Sequence, residues 1–146
     1  MLAAIVAPVG MAKAQVSQAF TAAVSARDTV EIARLIRAAD PVLGRLIGEQ
    51  RLLIHPLVIG EIALGNLPNW DRVLAWLRSL PAIRPATDDA LYQMVSECGL
   101  QGSGLGVVDA HLLAAVAGGP DLKLWTRDKR LAKAATGMNR LWREPA

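Results

Sequence analysis

The chain has 146 residues, 53% of them hydrophobic, with a mean hydropathy of +0.31. That length suits one domain able to bury a real core, and the apolar excess predicts surface left over for a partner, in an oligomer or an obligate complex. Aromatic residues make up only 4%, too few rings for a base-stacking platform, so any nucleic acid has to be held mainly through its phosphates. A lone cysteine, Cys98, excludes an intrachain disulfide and makes a reducing, cytoplasmic compartment the default. Net charge is +3, and the last quarter concentrates Lys123, Arg127, Lys129, Arg130, Lys133, Arg140 and Arg143 against few acids, which favours a polyanion nearby.

Residues 1–26 carry a single charge, Lys13. Residues 2–11 superficially resemble an export signal, but a basic leader is missing and Pro8 and Gly10 interrupt the apolar run. The run is also shorter than the ~20 apolar residues a membrane helix needs, so no membrane association is expected. Residues 1–20 therefore read as an N-terminal extension of uncertain order, and residues 21–146 as the folded domain.

Residues 20–26 are a weak candidate strand leading to Asp28. Residues 29–36 place Val30, Ile32, Ala33 and Ile36 at helical spacing. Asp40 and Pro41 open a second helix as N-cap and first helical residue. Residues 51–54 read as a short buried strand, His55-Pro56 as the turn out of it, and residues 57–67 as a helix closed by Asn66-Leu67-Pro68-Asn69.

Residues 71–80 are amphipathic, with Val73, Leu74, Leu77 and Leu80 inward. Thr87 caps a helix running to about Cys98, with Asp88 and Asp89 complementing its dipole. A Gly-rich stretch, residues 99–106, leads into an apolar helix over 107–117 that Gly118-Gly119-Pro120 stops. Residues 122–126 are the clearest remaining strand, and a basic helix follows from Lys129. Helix and strand alternation of this kind predicts an α/β domain with a central parallel sheet flanked by helices.

Four acids stand out against this layout: Asp28, Glu61, Asp109 and Asp128. Ligands of open parallel sheets gather beyond the carboxyl ends of strands, and Asp28 and Asp128 each follow a candidate strand. Glu61 and Asp109 lie among apolar helical residues. Isolated ionised carboxylates are costly to bury, so four set into apolar runs imply a compensating cation. Oxygen donors without a Cys or His cluster suit magnesium or manganese. A single acid in such a place is most often a cap or an ion-pair partner; four together shift the balance toward a metal site. His111 falls on a different helical face from Asp109, His55 reads as a turn residue, and Gly102-Ser103-Gly104-Leu105-Gly106 lacks the lysine of a phosphate-binding P-loop.

Three motifs carry a family resemblance: His55-Pro56-Leu57-Val58-Ile59-Gly60-Glu61-Ile62-Ala63-Leu64-Gly65-Asn66-Leu67, Gly104-Leu105-Gly106-Val107-Val108-Asp109-Ala110-His111-Leu112-Leu113, and Leu124-Trp125-Thr126-Arg127-Asp128-Lys129-Arg130-Leu131. In this order they resemble the PIN-domain ribonucleases, and within them the VapC toxins of bacterial toxin-antitoxin pairs, over about residues 28 to 137. The resemblance implies a PIN-like fold and a metal-dependent endoribonuclease. Glu61, Asp109 and Asp128 would be its second, third and fourth acids, and Asp28-Thr29 the first, which the family carries at the end of an opening strand. The acids would be both the catalytic residues and the ligands of Mg2+ or Mn2+, with no further cofactor. Thr126 is a candidate to orient Asp128, touch a ligated water or cap the helix, and Arg127, Lys129 and Arg130 are candidates to grip RNA.

The partners implied are an RNA substrate, a cognate VapB-like antitoxin and a second copy of the chain in a homodimer. The local sequence departs from the family pattern around Asp28, where Val30 replaces a small polar residue, Arg34 stands where an acid is common, and residues 24–27 make a poor core strand. That departure leaves open a second reading: a degenerate, non-catalytic PIN-like module that binds an antitoxin or RNA.

Overall fold

The computed structural model describes residues 3–8 and 40–145; the predicted strand at 20–26, the predicted helix at 29–36 and Asp28 lie outside the described residues. The described chain is mixed α/β, with six helices and short strands. It divides into two compact units, residues 1–6 with 83–146, and residues 7–82. Among the described residues no helix is long and apolar enough to cross a membrane.

In the first unit, β1 (Ala3–Val6) lies wholly buried, with Ile5 at 0% exposure. Ala3 to Val6, part of the apolar run that resembles an export signal, is thus a buried strand. β1 pairs with β3 (Lys123–Thr126) in the register Ala3 to Thr126 and Val6 to Lys123, and the pair is antiparallel. This corrects the expectation of a purely parallel central sheet. Helix and strand alternation constrains the direction of strands that a crossover joins directly, whereas β1 and β3 are separated by most of the chain, a connection that permits either direction. A parallel bridge from Leu124 to Leu141 extends the other side of β3.

α4 (Asp88–Glu97) packs against α5 (Val107–Ala117), and α5 and α6 (Lys129–Gly137) pack against β3. Thr87 caps α4 as predicted, its Oγ1 accepting from Ala90 N at 3.2 Å. Leu112, Leu113, Ala114, Ala115 and Val116 of α5 are all buried, a helix apolar around its circumference and therefore central to its unit. α6 is amphipathic instead. Leu131 and Ala135 are fully buried while Lys129, Arg130 and Lys133 are exposed.

The second unit holds α1 (Pro41–Gly48), β2 (Leu52–Leu53), α2 (Pro56–Ala63) and α3 (Trp70–Ser79). Asp40 caps α1 with Oδ1, which accepts from Val42 N at 3.0 Å and Leu43 N at 3.1 Å. His55, predicted as a turn residue, is the buried N-cap of α2, where Nδ1 accepts from Leu57 N. Trp76, Leu77 and Ile54 form the core of this unit, with Ile47, Ile59, Ile62, Val73 and Leu80 packed against them.

Candidate functional site

The third and fourth predicted acids both stand at helix starts in the first unit. Asp109 is the third residue of α5, and its Oδ2 accepts from Gly106 N at 3.0 Å. This is the reach-back half of a capping box, the other half being absent because Gly106 has no side chain. The arrangement fixes the carboxylate's orientation. Its second oxygen, Oδ1, is buried and has no hydrogen-bond partner.

Asp128 is the N-cap of α6, with Oδ1 accepting from Leu131 N at 2.8 Å. Thr126, at the end of β3, accepts from Asp128 N through Oγ1 at 3.1 Å. That bond holds the backbone from which Asp128 projects, and Asp128 itself is the cap. The cap occupies Oδ1 and leaves Oδ2 outside that bond.

The two helix starts are tied together by a contact between residues far apart in sequence. Arg130, in the first turn of α6, donates from Nη1 to Gly104 O at 3.4 Å, two residues before Gly106. Gly104 adopts φ +76, in the left-handed region, and a Cβ there would meet Arg130 Nη1 at 3.3 Å. The sequence alone gives this stretch as a Gly-rich lead into the helix. Its glycines at positive φ were the available signal, although their link to Arg130 is a tertiary contact no local pattern reveals.

Arg127 stacks over Trp125, 5.3 Å from the ring centroid, so one of the predicted RNA-contacting cations is oriented by an aromatic neighbour. Lys129 and Arg130 are exposed at the start of α6. In the second unit Glu61 is an exposed residue on α2. Asp28 lies outside the described residues. Among the described residues no group of three or more His, Cys, Asp and Glu side chains is gathered as a metal site.

An unpartnered buried carboxylate oxygen carries a desolvation penalty that a bound cation removes, and the oxygen donors of Asp109 and Asp128 suit a hard divalent ion. The donor chemistry at Asp109 therefore fits magnesium or manganese.

Among curated proteins, the chain is 46% identical over 99 residues to Ribonuclease VapC32 of Mycobacterium tuberculosis, from strain CDC 1551 / Oshkosh. The same identity holds for Ribonuclease VapC32 of strain ATCC 25618 / H37Rv, the aligned stretch covering 68% of this chain and 80% of the relative. No family model matches the chain, and no solved structure does.

Proposed function

The chain belongs to the VapC-type PIN ribonuclease toxins, and from that premise we propose that it is a Mg2+- or Mn2+-dependent endoribonuclease, hydrolysing phosphodiester bonds in RNA as the toxin of a type II toxin-antitoxin pair. The observation that carries the reading is Asp109 Oδ1, buried and without a partner in one of the three motifs shared with the family.

In this reading Asp109 and Asp128 are ligands to the ion, and Glu61 and Asp28 complete the set by the family pattern. When bound, the ion supplies Lewis-acid charge against the phosphoryl oxygens and makes a water more acidic. The chain's own contribution is placement. Gly106 N holds Asp109 Oδ2 so that Oδ1 keeps one direction, and Thr126 with Leu131 N fixes Asp128. Such fixed groups cost no reorganisation when charge develops during reaction. Arg127, Lys129 and Arg130 bind the RNA backbone beside these carboxylates.

The partners follow from the same reading: a VapB-like antitoxin that silences the toxin, and a second copy of the chain. Leu64 is 91% exposed and Trp70 40%, apolar surface on the second unit that supports association. The test of the activity is direct. Purified protein with manganese should cleave structured RNA and Asp109→Asn should abolish it; cleavage that survives the substitution belongs to a contaminant and removes the support.

One observation favours the non-catalytic alternative. The family carries its first acid at the end of an opening strand, and β1 is followed by Ala7 and Pro8. A chain lacking that ligand would retain binding to RNA or antitoxin without hydrolysis. A thermal shift on adding manganese separates the two, since an ion that binds the native state stabilises it by mass action.

A further inference from the structure

A groove of about 730 Å³ opens in the first unit between the end of α4, the Gly-rich segment and the exposed side of α6. Arg130 and Lys133 stand one turn apart on its α6 wall, and Leu100, Leu105 and Met138 supply apolar surface. Its size falls within the roughly 300–1,000 Å³ typical of small-ligand sites, room for a nucleotide.

Two cations and one acid line the groove. Glu97 is the acid of its lining, and Glu97 Oε1 is engaged by Gln93 Nε2 at 2.7 Å along its own helix. Among the described residues Lys133 makes no hydrogen bond or ion pair, so its ammonium is available to an external anion. Arg130 lines the groove and also bonds Gly104 O, which connects the groove wall to the segment before the helix start that carries Asp109.

We infer that this groove is a subsite for single-stranded RNA flanking the cleavage point, with Arg130 and Lys133 on successive phosphates and an unstacked base against Leu100, Leu105 and Met138. The inference rests on the ribonuclease reading for its substrate. Aliphatic packing without a ring or an array of fixed hydrogen-bond donors accepts any base, so the subsite contributes affinity and strand direction and discriminates little between sequences. A duplex is excluded by its chemistry: paired bases are not free to enter an apolar recess. Lys133 is accordingly a positioning residue. Its loss raises KM and spares kcat.

Cys98, the one cysteine of the chain, is exposed on the groove wall and serves as a native reporter. In EDTA, which keeps the strand intact, poly(U) at about ten times its Kd should slow maleimide alkylation of Cys98 about tenfold by occupancy. Lys133→Gln should lower the salt dependence of poly(U) binding by about 0.7 in the log–log slope, the value for one phosphate contact on a single strand.

Unchanged alkylation while poly(U) is bound overturns the proposal. So does protection by poly-glutamate as strong as that by poly(U), which would make the groove a peptide site. Absence of RNA cleavage with manganese, alongside intact Cys98 protection, would instead remove the catalytic reading and leave the groove standing.

Discussion

Gly106 N holds one oxygen of Asp109 at 3.0 Å while the other oxygen of the same carboxylate is buried with nothing to accept from. An arrangement of this kind is unfavourable for an isolated fold and favourable for one that takes up a cation. Asp109→Asn should therefore have opposite effects on two measurements. Without metal, removing the charge should raise stability in denaturant titration, since a neutral amide costs less to bury than a carboxylate. With manganese, the wild-type protein should gain about 2.7 kcal/mol at a hundredfold excess over Kd, and the variant should lose that gain together with RNA cleavage. A variant less stable in EDTA would show that Oδ1 has a structural task instead.

Asp128 combines a structural duty with its proposed chemical one, and two substitutions separate them. Asn caps helices about as well as Asp, so Asp128→Asn should keep the bond to Leu131 N and fold with native stability while cleavage is lost. Asp128→Ala should cost about 1 kcal/mol in addition, since the cap goes as well. Equal stability of the two variants in chemical denaturation would mean that the cap contributes nothing. Full activity in Asp128→Asn would remove this residue from the metal set.

Gly104 joins the backbone to the basic wall of α6. At φ +76 a side chain is strained by about 1–2 kcal/mol, and the added Cβ also crowds Arg130 Nη1 at 3.3 Å. Gly104→Ala should lower the denaturation midpoint accordingly and weaken RNA binding more than Gly118→Ala, whose nearest contact lies at 3.6 Å. Equal RNA affinity in the two variants would show that the position of Arg130 does not depend on this turn.

Much of this organisation is written in local sequence. Thr87, Asp40 with Pro41, and the apolar run from Val107 to Ala117 announced their helices because capping chemistry and periodicity act over a few residues. Asp109 stood out because an acid among apolar helical residues conflicts with its surroundings, and Asp128 because it directly follows a strand. Strand direction was not legible, since Ala3 to Val6 reads as an apolar run whatever its partner, and the pairing with Lys123 to Thr126 is decided by contacts across most of the chain. His55 does stand at the turn out of β2, and only its capping role was hidden. Its Nδ1 caps α2 in the way an Asn or Ser would, a role that composition does not advertise for histidine.

The identity of the first acid sets the last prediction. β1 is the strand that opens the described fold, and the residue that follows it is Ala7, 1% exposed, whose N–H donates to Arg51 O at 2.7 Å and whose carbonyl accepts from Arg51 Nε at 3.2 Å. With Asp28 as the first ligand, Ala7→Asp adds a buried charge and no ligand. Ala7→Asp should then be less stable than the parent in EDTA, because a carboxylate buried without a partner is costly, and manganese should not restore it. Asp28→Asn should lose both the manganese shift and the cleavage. The opposite pattern, rescue of Ala7→Asp by manganese and an unchanged Asp28→Asn, would remove Asp28 from the metal set. The backbone bonds from Ala7 to Arg51 involve no side-chain atom of residue 7, so the substitution leaves them in place and the comparison reads the carboxylate alone.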